Sequence, residues 1–193
     1  GRYSGVAITT GDNNVCLGYL AGDELTTGSN NVLIGYHAGG AGEHVNVGTS
    51  DNNYIVMGNG THDNARIYPS CTTGSDERDK ADIANLPEAA GLTFINSLRP
   101  ITYVFDRRAS YGEGETQDGS KKATAKQVGI SAQELKVAEQ AIGWTEDHIV
   151  NTSDPNALGV QQDQLIPTLI KAVQQLSAKN DSLETRIEAL ENA

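Results

Sequence analysis

Two interleaved series of residues repeat every seven positions near the C-terminus and constrain the fold more than any other feature of the chain. Leucine fills each d position, at Leu169, Leu176, Leu183 and Leu190. The a positions hold Ile166, Val173, Asn180 and Ile187. This pattern predicts a parallel, homo-oligomeric coiled coil about 37 Å long, from about 25 residues that each rise ~1.5 Å. A single amphipathic helix packed on its own domain stays open as the alternative, because a/d spacing alone does not exclude it.

Charged residues beside the heptad stripe favour a parallel alignment of the chains. Lys179 with Glu184, and Arg186 with Glu191, have the five-residue offset of g-to-e′ pairs between helices in register. The amide of Asn180 at an a position is tolerable only where partner amides, water or an ion satisfy it, so it acts as a register device. Ile and Val at a with Leu at d lean toward dimers, so the heptads leave two or three strands open.

The N-terminal segment contains near-copies of one phrase. "NNVCLGYLAG" begins at Asn13, "NNVLIGYHAG" begins 17 residues later at Asn30, and a looser echo, "DNNYIVMG", begins at Asp51 with one extra residue before its glycine. Asn and Gly favour turns, and the Val/Leu/Ile alternation between them predicts strands too short to stand alone. Each strand needs a neighbour, either the next repeat or the same repeat on another chain.

These repeats resemble those of phage tail fibres and the roll of trimeric adhesin heads, although single-chain solenoids use similar strands. We therefore predict that residues 1–74 form an all-β, trimeric segment of interlocked short strands. One tyrosine occurs in each echo, and we interpret Tyr19, Tyr36 and Tyr54 as packing residues. The chain begins in the middle of the pattern, so a longer protein is expected.

The remaining residues, 75–193, read as an α+β domain that ends in the coil. For residues 75–157 we predict a helix through Leu92, Ile95 and Leu98 that ends at Pro100, and then a strand in "ITYVF". The polar, aperiodic residues 106–126 predict a projecting arm or hairpin. "QVGIS" then predicts a strand, "AQELKVAEQAI" a helix with Trp144 as a core anchor after it, and residues 158–193 the coiled coil.

Composition excludes several classes of function. The net charge of −11 and the pI of about 4.7 argue against a nucleic-acid partner, which needs a cationic surface. Cys16 and Cys71 lack disulfide or metal spacing and are read as ordinary thiols, and no apolar run predicts membrane insertion. We expect no cofactor or metal, since His37 and His44 lack a paired motif and are read as surface or turn histidines.

The stretch "TTGSDERDKADI" lies at the boundary between the two segments. The hydroxyl of Ser75 is a nucleophile only with a base in reach, and Lys80 is the local candidate. Residues five apart point about 140° away from each other on an α-helix, so this pair needs a non-helical turn or a lysine from another chain. A lysine also acts as a base only where its pKa falls toward neutrality, and nearby carboxylates oppose this unless Arg78 engages one of them. The residues alone favour Ser75 as the N-cap of a charged first turn.

Four phrases in order resemble one known domain. "SDERDK", "LRPITYVF", "VGISAQEL" and "LGVQQDQLIPTLIKAVQQLSAKNDSLE" are similar to the intramolecular chaperone at the C-terminus of endosialidase tail spikes, phage L-shaped tail fibres and phage neck appendages. The resemblance covers residues 75–193 and implies that Ser75 is the nucleophile, Lys80 the base and Gly74–Ser75 the bond that is cut. Asp76 and Arg78 match the motif, and the expected role of this pair is to orient the turn or pair charges.

The resemblance implies a homotrimeric virion protein whose chaperone part is made, and released by a single self-cleavage, in the host cytoplasm. The fibre part is then a candidate for contact with a host cell-surface receptor. The alternative is a permanent structural or receptor-binding trimeric fibre tip in which Ser75 is only a cap. A hydrolase acting on an external substrate has little support, because we find no paired carboxylates in a catalytic setting and no histidine-based triad spacing.

Overall fold

A computed structural model describes residues 1–40, 47–60, 62, 72–112, 114–153 and 158–192. The chain divides into two compact units, Gly1–Thr73 with Val104–Thr124, and Gly74–Tyr103 with Ala125–Ala193. Short strands and one long C-terminal helix make this a mixed α/β protein, which confirms the coarse fold class. Trimer formation and interlocked strands stay predictions.

The first unit is built on a parallel three-stranded sheet. Its strands are β1 (Val15–Leu17), β2 (Val32–Ile34) and β3 (Ile55–Met57), in the order β1-β2-β3. Val15 pairs with Val32, and Val32 pairs with Ile55. Each strand therefore pairs with the next repeat of the same chain. This register aligns Tyr54, rather than a second asparagine, with Asn31.

The two asparagines of each pair have different structural roles. Asn13, Asn30 and Asn53 have φ angles of 57°, 60° and 67°, a left-handed conformation that asparagine tolerates better than most residues. The asparagine that follows the first two of these lies on the ladder between repeats. Asn14 Oδ1 accepts the N–H of Asn31 at 3.0 Å, and Asn31 Oδ1 accepts the N–H of Tyr54 at 2.9 Å. The doubled asparagine thus specifies a turn and then a contact between repeats.

The sheet has a buried inner face and an outer face that is exposed on the edge strands β1 and β3 and half-buried on β2. The middle residues of the strands point inward, where a cluster forms from Leu25, Leu33, Ala38, Val47 and Val56, with Cys16 packed against it. Burial raises the pKa of the Cys16 thiol. The residues on either side of each middle position point the other way, because side chains alternate along a strand. Cys71 and His44 lie outside the described residues.

The segment between β2 and β3 is longer than the one between β1 and β2. Val15 and Val32 are 17 residues apart, whereas Val32 and Ile55 are 23 apart, yet both pairs are in register. The N–H of Val47 donates to the Gly39 carbonyl at 3.0 Å and brings the chain back beside itself. The added length therefore leaves the strand pairing intact.

The repeat tyrosines pack in two different places. Tyr19 and Tyr36 are parallel with ring centroids 5.9 Å apart, and Tyr3 meets Tyr19 edge-on at 6.1 Å. Tyr54 packs instead against the inner core. Nearby, His37 Nε2 lies 3.4 Å from an Asp23 carboxylate oxygen. Within the part of the chain that the structure describes, no three His, Cys, Asp or Glu residues form a metal-binding group.

Residues 104–124, which fall in the first unit, are organised around one phenol. Tyr111 OH donates to Asp106 Oδ1 at 2.8 Å and accepts the N–H groups of Gly119 and Lys121, each at 3.1 Å. A 3-10 turn, Arg108–Ser110, leads into the tyrosine. The predicted arm thus contains local structure of its own.

The second unit combines short helices with two small antiparallel sheets. In chain order, its elements are a 3-10 turn (Glu88–Ala90), α1 (Leu92–Ser97), β4 (Ile101–Tyr103), β5 (Gln127–Gly129), α2 (Ala132–Ala141), β6 (Val150–Asn151) and β7 (Gly159–Val160). Strand β4 pairs with β5, and β6 with β7. The core consists of Phe94, Leu135, Ala138, Ile149 and Val150. Trp144 packs against it, with its ring centroid 5.7 Å from that of Phe94.

The long helix α3 (Leu165–Glu191) packs on this unit through one stripe and leaves another stripe exposed. Thr168 and Ala172 are buried, Lys171 pairs with Glu88, and Gln175 Oε1 accepts the N–H of Leu92 at 2.6 Å. The exposed stripe contains the apolar heptad residues Ile166, Leu169, Val173, Leu176, Leu183, Ile187 and Leu190. Packing on its own unit therefore does not use the a/d face. Among the described residues, no helix is both long and apolar enough to cross a bilayer.

Candidate active site

A single 3-10 turn, Glu77–Asp79, follows the predicted nucleophile. Its N-cap is Asp76, whose Oδ1 accepts the N–H of Arg78 at 2.9 Å. The expectation from the residues alone, that Ser75 is the cap, is wrong because the aspartate one position later satisfies this N–H. Lys80 ends the turn in an extended conformation, with φ −117° and ψ 142°, and its N–H donates to the Glu77 carbonyl at 3.1 Å.

This turn brings the side chains of Ser75 and Lys80 together in one chain. Lys80 Nζ donates to Ser75 Oγ at 2.8 Å and to the Ser75 carbonyl oxygen at 3.1 Å. An α-helix would point these side chains away from each other. The tighter turn and the extended backbone at Lys80 remove that obstacle, so no second chain is needed for the contact.

Side-chain hydrogen bonds between Asp76 and Arg78 also stabilise this turn. Arg78 Nε donates to Asp76 Oδ1 at 3.0 Å, and Arg78 Nη2 donates to Oδ2 at 2.6 Å. The guanidinium of Arg78 keeps the pKa of Asp76 below its usual value, and the carboxylate in turn raises the pKa of Arg78. Arg78 thus binds both carboxylate oxygens of Asp76. This ion pair weakens the electrostatic attraction between Asp76 and other cations nearby.

The site is open to solvent in the single chain. Gly74, Ser75 and Lys80 are all exposed, and a methyl group added at Gly74 would meet no atom within 4 Å. Water therefore has free access to the Gly74–Ser75 bond and to Lys80 Nζ. This geometry therefore supplies proximity without the water-excluded surroundings of a closed active site.

Sequence reasoning named all four residues of the site but missed the capping role of Asp76. The signal was present, because aspartate accepts readily from the backbone N–H two residues further along the chain. Reading Ser75 as the cap followed from the general preference for serine at helix starts, which does not separate adjacent Ser and Asp.

Residues 75–143 match a peptidase family described as chaperone of endosialidase. This match supports an endosialidase-type intramolecular chaperone domain in the part of the chain that begins with residues 75–143. The family implies a self-cleaving serine-peptidase type of activity and is associated with phage proteins.

Proposed function

We propose that this chain is the C-terminal part of a phage tail fibre or tail spike, in which residues 75–193 drive homotrimerisation and folding and are then released by cleavage at Gly74–Ser75. The observation that carries the proposal is the 2.8 Å contact between Lys80 Nζ and Ser75 Oγ, at the first residues of the chaperone match. In this proposal, residues 1–74 stay in the virion, and the chaperone part is shed in the host cytoplasm.

The chemistry begins with an acyl shift within the chain. Ser75 Oγ attacks the carbonyl carbon of Gly74 while neutral Lys80 Nζ accepts the hydroxyl proton, and the proton then passes to the departing nitrogen of Ser75. The C–N bond breaks, and Gly74 is held as an ester on Ser75 Oγ. Water attacks this ester with Lys80 again as the base. The products are a Gly74 carboxylate and a chain that begins with the free amine of Ser75.

Assembly of the chains is proposed to use the exposed heptad stripe of α3. The stripe is apolar apart from Asn180, which would lie at the helix interface. Association would hold three copies of the first unit close together at a high effective concentration. Strands that are far apart in sequence pair slowly, because the entropy of loop closure is lost before their contacts contribute favourable free energy. A template that holds the strands together reduces this entropic cost.

Assembly is also proposed to control cleavage. It would do so without bringing a lysine from a neighbouring chain to Ser75. Lys80 already contacts Ser75 within one chain. A neighbouring chain would instead displace water from the exposed turn, which favours the uncharged amine that the first step needs. Cleavage would then report that the chains have assembled, and the stability of the released fibre would become kinetic.

The test is the mass of the purified chain after incubation. Two fragments that separate between Gly74 and Ser75, formed at a rate independent of protein dilution once oligomers exist, support the proposal. A chain that stays intact as a stable trimer supports instead the permanent fibre tip. The exposed heptad stripe fits that alternative too, because it favours association whether or not the chain cuts itself.

A further inference from the structure

We propose that the chain transfers the Gly74 acyl group to small primary amines as well as to water, and is thus an acyl transferase in addition to a peptidase. The inference rests on the proposed function, because the acyl donor is the Gly74 ester on Ser75 Oγ. The acceptors are unbranched amines little larger than water. The product is an amide at Gly74, in place of the carboxylate that hydrolysis leaves.

The open surroundings of Gly74 carry this inference. Residues 72–75 are all exposed, and a methyl group added at Gly74 would meet no atom within 4 Å. Glycines that are needed by the fold have different surroundings or a different backbone. A methyl group at Gly18 would lie 2.1 Å from the Gly35 carbonyl oxygen, and Gly119 has a left-handed φ of 82°.

Neither of these reasons for a glycine applies to Gly74. The space beside it has room for a side chain, and its φ lies outside the left-handed region in which glycine is favoured. What glycine contributes here is a carbonyl group with no side chain beside it. A nucleophile larger than water therefore reaches the carbonyl carbon without a steric obstacle from residue 74.

The base that acts in hydrolysis of the ester serves an amine equally well. Lys80 Nζ lies 2.8 Å from Ser75 Oγ, which is the ester oxygen after the acyl shift. The nitrogen of the amine forms a bond to the Gly74 carbonyl carbon, and the bond from that carbon to Ser75 Oγ breaks. Lys80 Nζ takes one proton from the attacking nitrogen and returns it to Oγ. The step yields an amide and a free serine hydroxyl, with no other reactant.

The route that water takes to the ester limits the size of the acceptor. The amine released from Gly74 stays on Ser75 and competes for the same ester, so water has to arrive before the acyl shift reverses. A neighbouring chain that covers the turn has to leave this route open, because hydrolysis needs it. A small primary amine uses the same route and is a stronger nucleophile than water. Bulky amines should be excluded.

The test is to let the chain cut itself while the amine is present. We would synthesise the full chain in a cell-free system buffered without a primary amine, add glycinamide at several concentrations, and measure the mass of the fragment that ends at Gly74. Transfer makes this fragment heavier by one glycinamide less one water. N,N-Dimethylglycinamide is the matched control, because a tertiary amine forms no stable amide.

We expect the ratio of amide to carboxylate to double when the glycinamide concentration doubles, with no adduct from the tertiary amine. Fragments that end only in a carboxylate overturn this inference and leave the proposed function standing. A chain that stays uncut overturns both. Adduct that forms when glycinamide is added after cleavage is complete also overturns the inference, because the finished carboxylate would then be the group that reacts.

Variants at Gly74 test the role of the open carbonyl group. Gly74→Val places a branched side chain beside the acyl carbon, in space that the fold leaves empty. The ratio of amide to carboxylate compares two nucleophiles at one ester, so it does not depend on how fast the variant forms that ester. We expect the ratio to fall at least about threefold, because the side chain displaces glycinamide from its line of attack more than water. Gly74→Ala should give an intermediate ratio, and it replaces the valine variant if valine prevents cleavage. Ratios equal to that of the wild type contradict the inference.

Discussion

Lys80 Nζ lies 2.8 Å from Ser75 Oγ across one 3-10 turn of the same chain. The cap at Asp76 and the extended backbone at Lys80 are sufficient to produce this contact. A model in which a neighbouring chain delivers the lysine is therefore unnecessary. Any dependence of cleavage on assembly has to act on the surroundings of the pair.

Removing either member of the pair should stop cleavage. We expect Ser75→Ala to give no fragments, and Lys80→Ala to slow their formation by at least about 100-fold, because a general base contributes roughly 10²–10⁴. The rate is read from intact masses over time. Thr72→Ala changes an exposed residue three positions before Ser75 and should cleave as the wild type does. A cut between Gly74 and Ser75 that persists in Ser75→Ala contradicts the assignment of the nucleophile.

The ion pair of Asp76 and Arg78 should affect the rate of cleavage by positioning Ser75 and Lys80, although neither partner takes part in the reaction itself. Loss of either partner loosens the turn, and we expect Asp76→Ala or Arg78→Ala to slow cleavage by roughly 10–100-fold, the scale of a misplacement of about 1 Å. The double variant should be little slower than either single one, because the partners act as a unit. Cleavage rates of the four chains at several pH values measure this. Multiplying effects in the double variant would show that the two residues act separately.

Charges on the heptad stripe should abolish both association and cleavage. We expect Leu176→Asp with Leu183→Asp to give a monomer by light scattering at micromolar concentration, because buried carboxylates oppose helix association. The rate of cleavage should fall in this monomeric variant if assembly removes water from the turn. Ser182→Asp adds a charge at the exposed c position and serves as the control, with assembly retained. A monomeric variant that still cuts itself at the wild-type rate refutes the link between assembly and cleavage.

Asp147 should make the second unit sensitive to acid. Its carboxylate accepts from the backbone N–H of Thr152 at 2.7 Å, accepts from the Thr152 hydroxyl, and lies 3.0 Å from Lys136 Nζ. These contacts, with the Thr152 N–H first, lower the pKa of Asp147 from 3.8 to about 2. A lowered pKa in the folded state means that the stabilisation is present above about pH 4 and is lost as the pH falls toward 2.

The Asp147→Asn variant should accordingly have a lower melting temperature than the wild type at pH 7, and the gap should narrow at pH 2. Circular dichroism at the two pH values measures it. Asp181→Asn, at an exposed position on α3, is the reference variant and should change little at either pH. A gap that is equally large at pH 2 contradicts a role for the ionised carboxylate.

Glu139 should stabilise the second unit through one hydrogen bond. The residue is fully buried, and its Oε1 accepts the N–H of Ile149 at 2.6 Å. Glu139→Ala leaves that buried N–H without an acceptor, so we expect a loss of about 1–3 kcal/mol in the free energy of unfolding. Glu139→Gln keeps the acceptor and should lose less. Urea unfolding measures the free energy of unfolding of both variants. Equal losses in the two variants would contradict a stabilising role for the hydrogen bond to Ile149.

Much of the second unit could be predicted because its signals are local. Pro100 ends the predicted helix, and α1 spans Leu92–Ser97 just before it. The heptads predicted the long helix, which the structure gives as Leu165–Glu191. Apart from Leu165 at the start of the helix, the stripe that packs α3 on its own unit had no such signal, since it relies on Thr168, Ala172 and Gln175, none of them large and apolar.

The site was less accessible to physical reasoning from the sequence. Ser75 and Lys80 were paired by resemblance, whereas local propensity favoured a capped helix start. Propensity scales do not distinguish a three-residue 3-10 turn from the first turn of an α-helix, and that difference decides whether the two side chains meet. In the repeats, the extra residue before Gly58 hid the alignment of Tyr54 with Asn31, which only the strand register reveals.

The unequal spacing of the strands has a practical meaning for protein engineering. Six more residues separate Val32 from Ile55 than separate Val15 from Val32, yet the register is the same, and the Val47–Gly39 hydrogen bond closes the excursion. A change in the number of residues between Gly39 and Val47 is therefore the kind of engineering that the strand register can absorb.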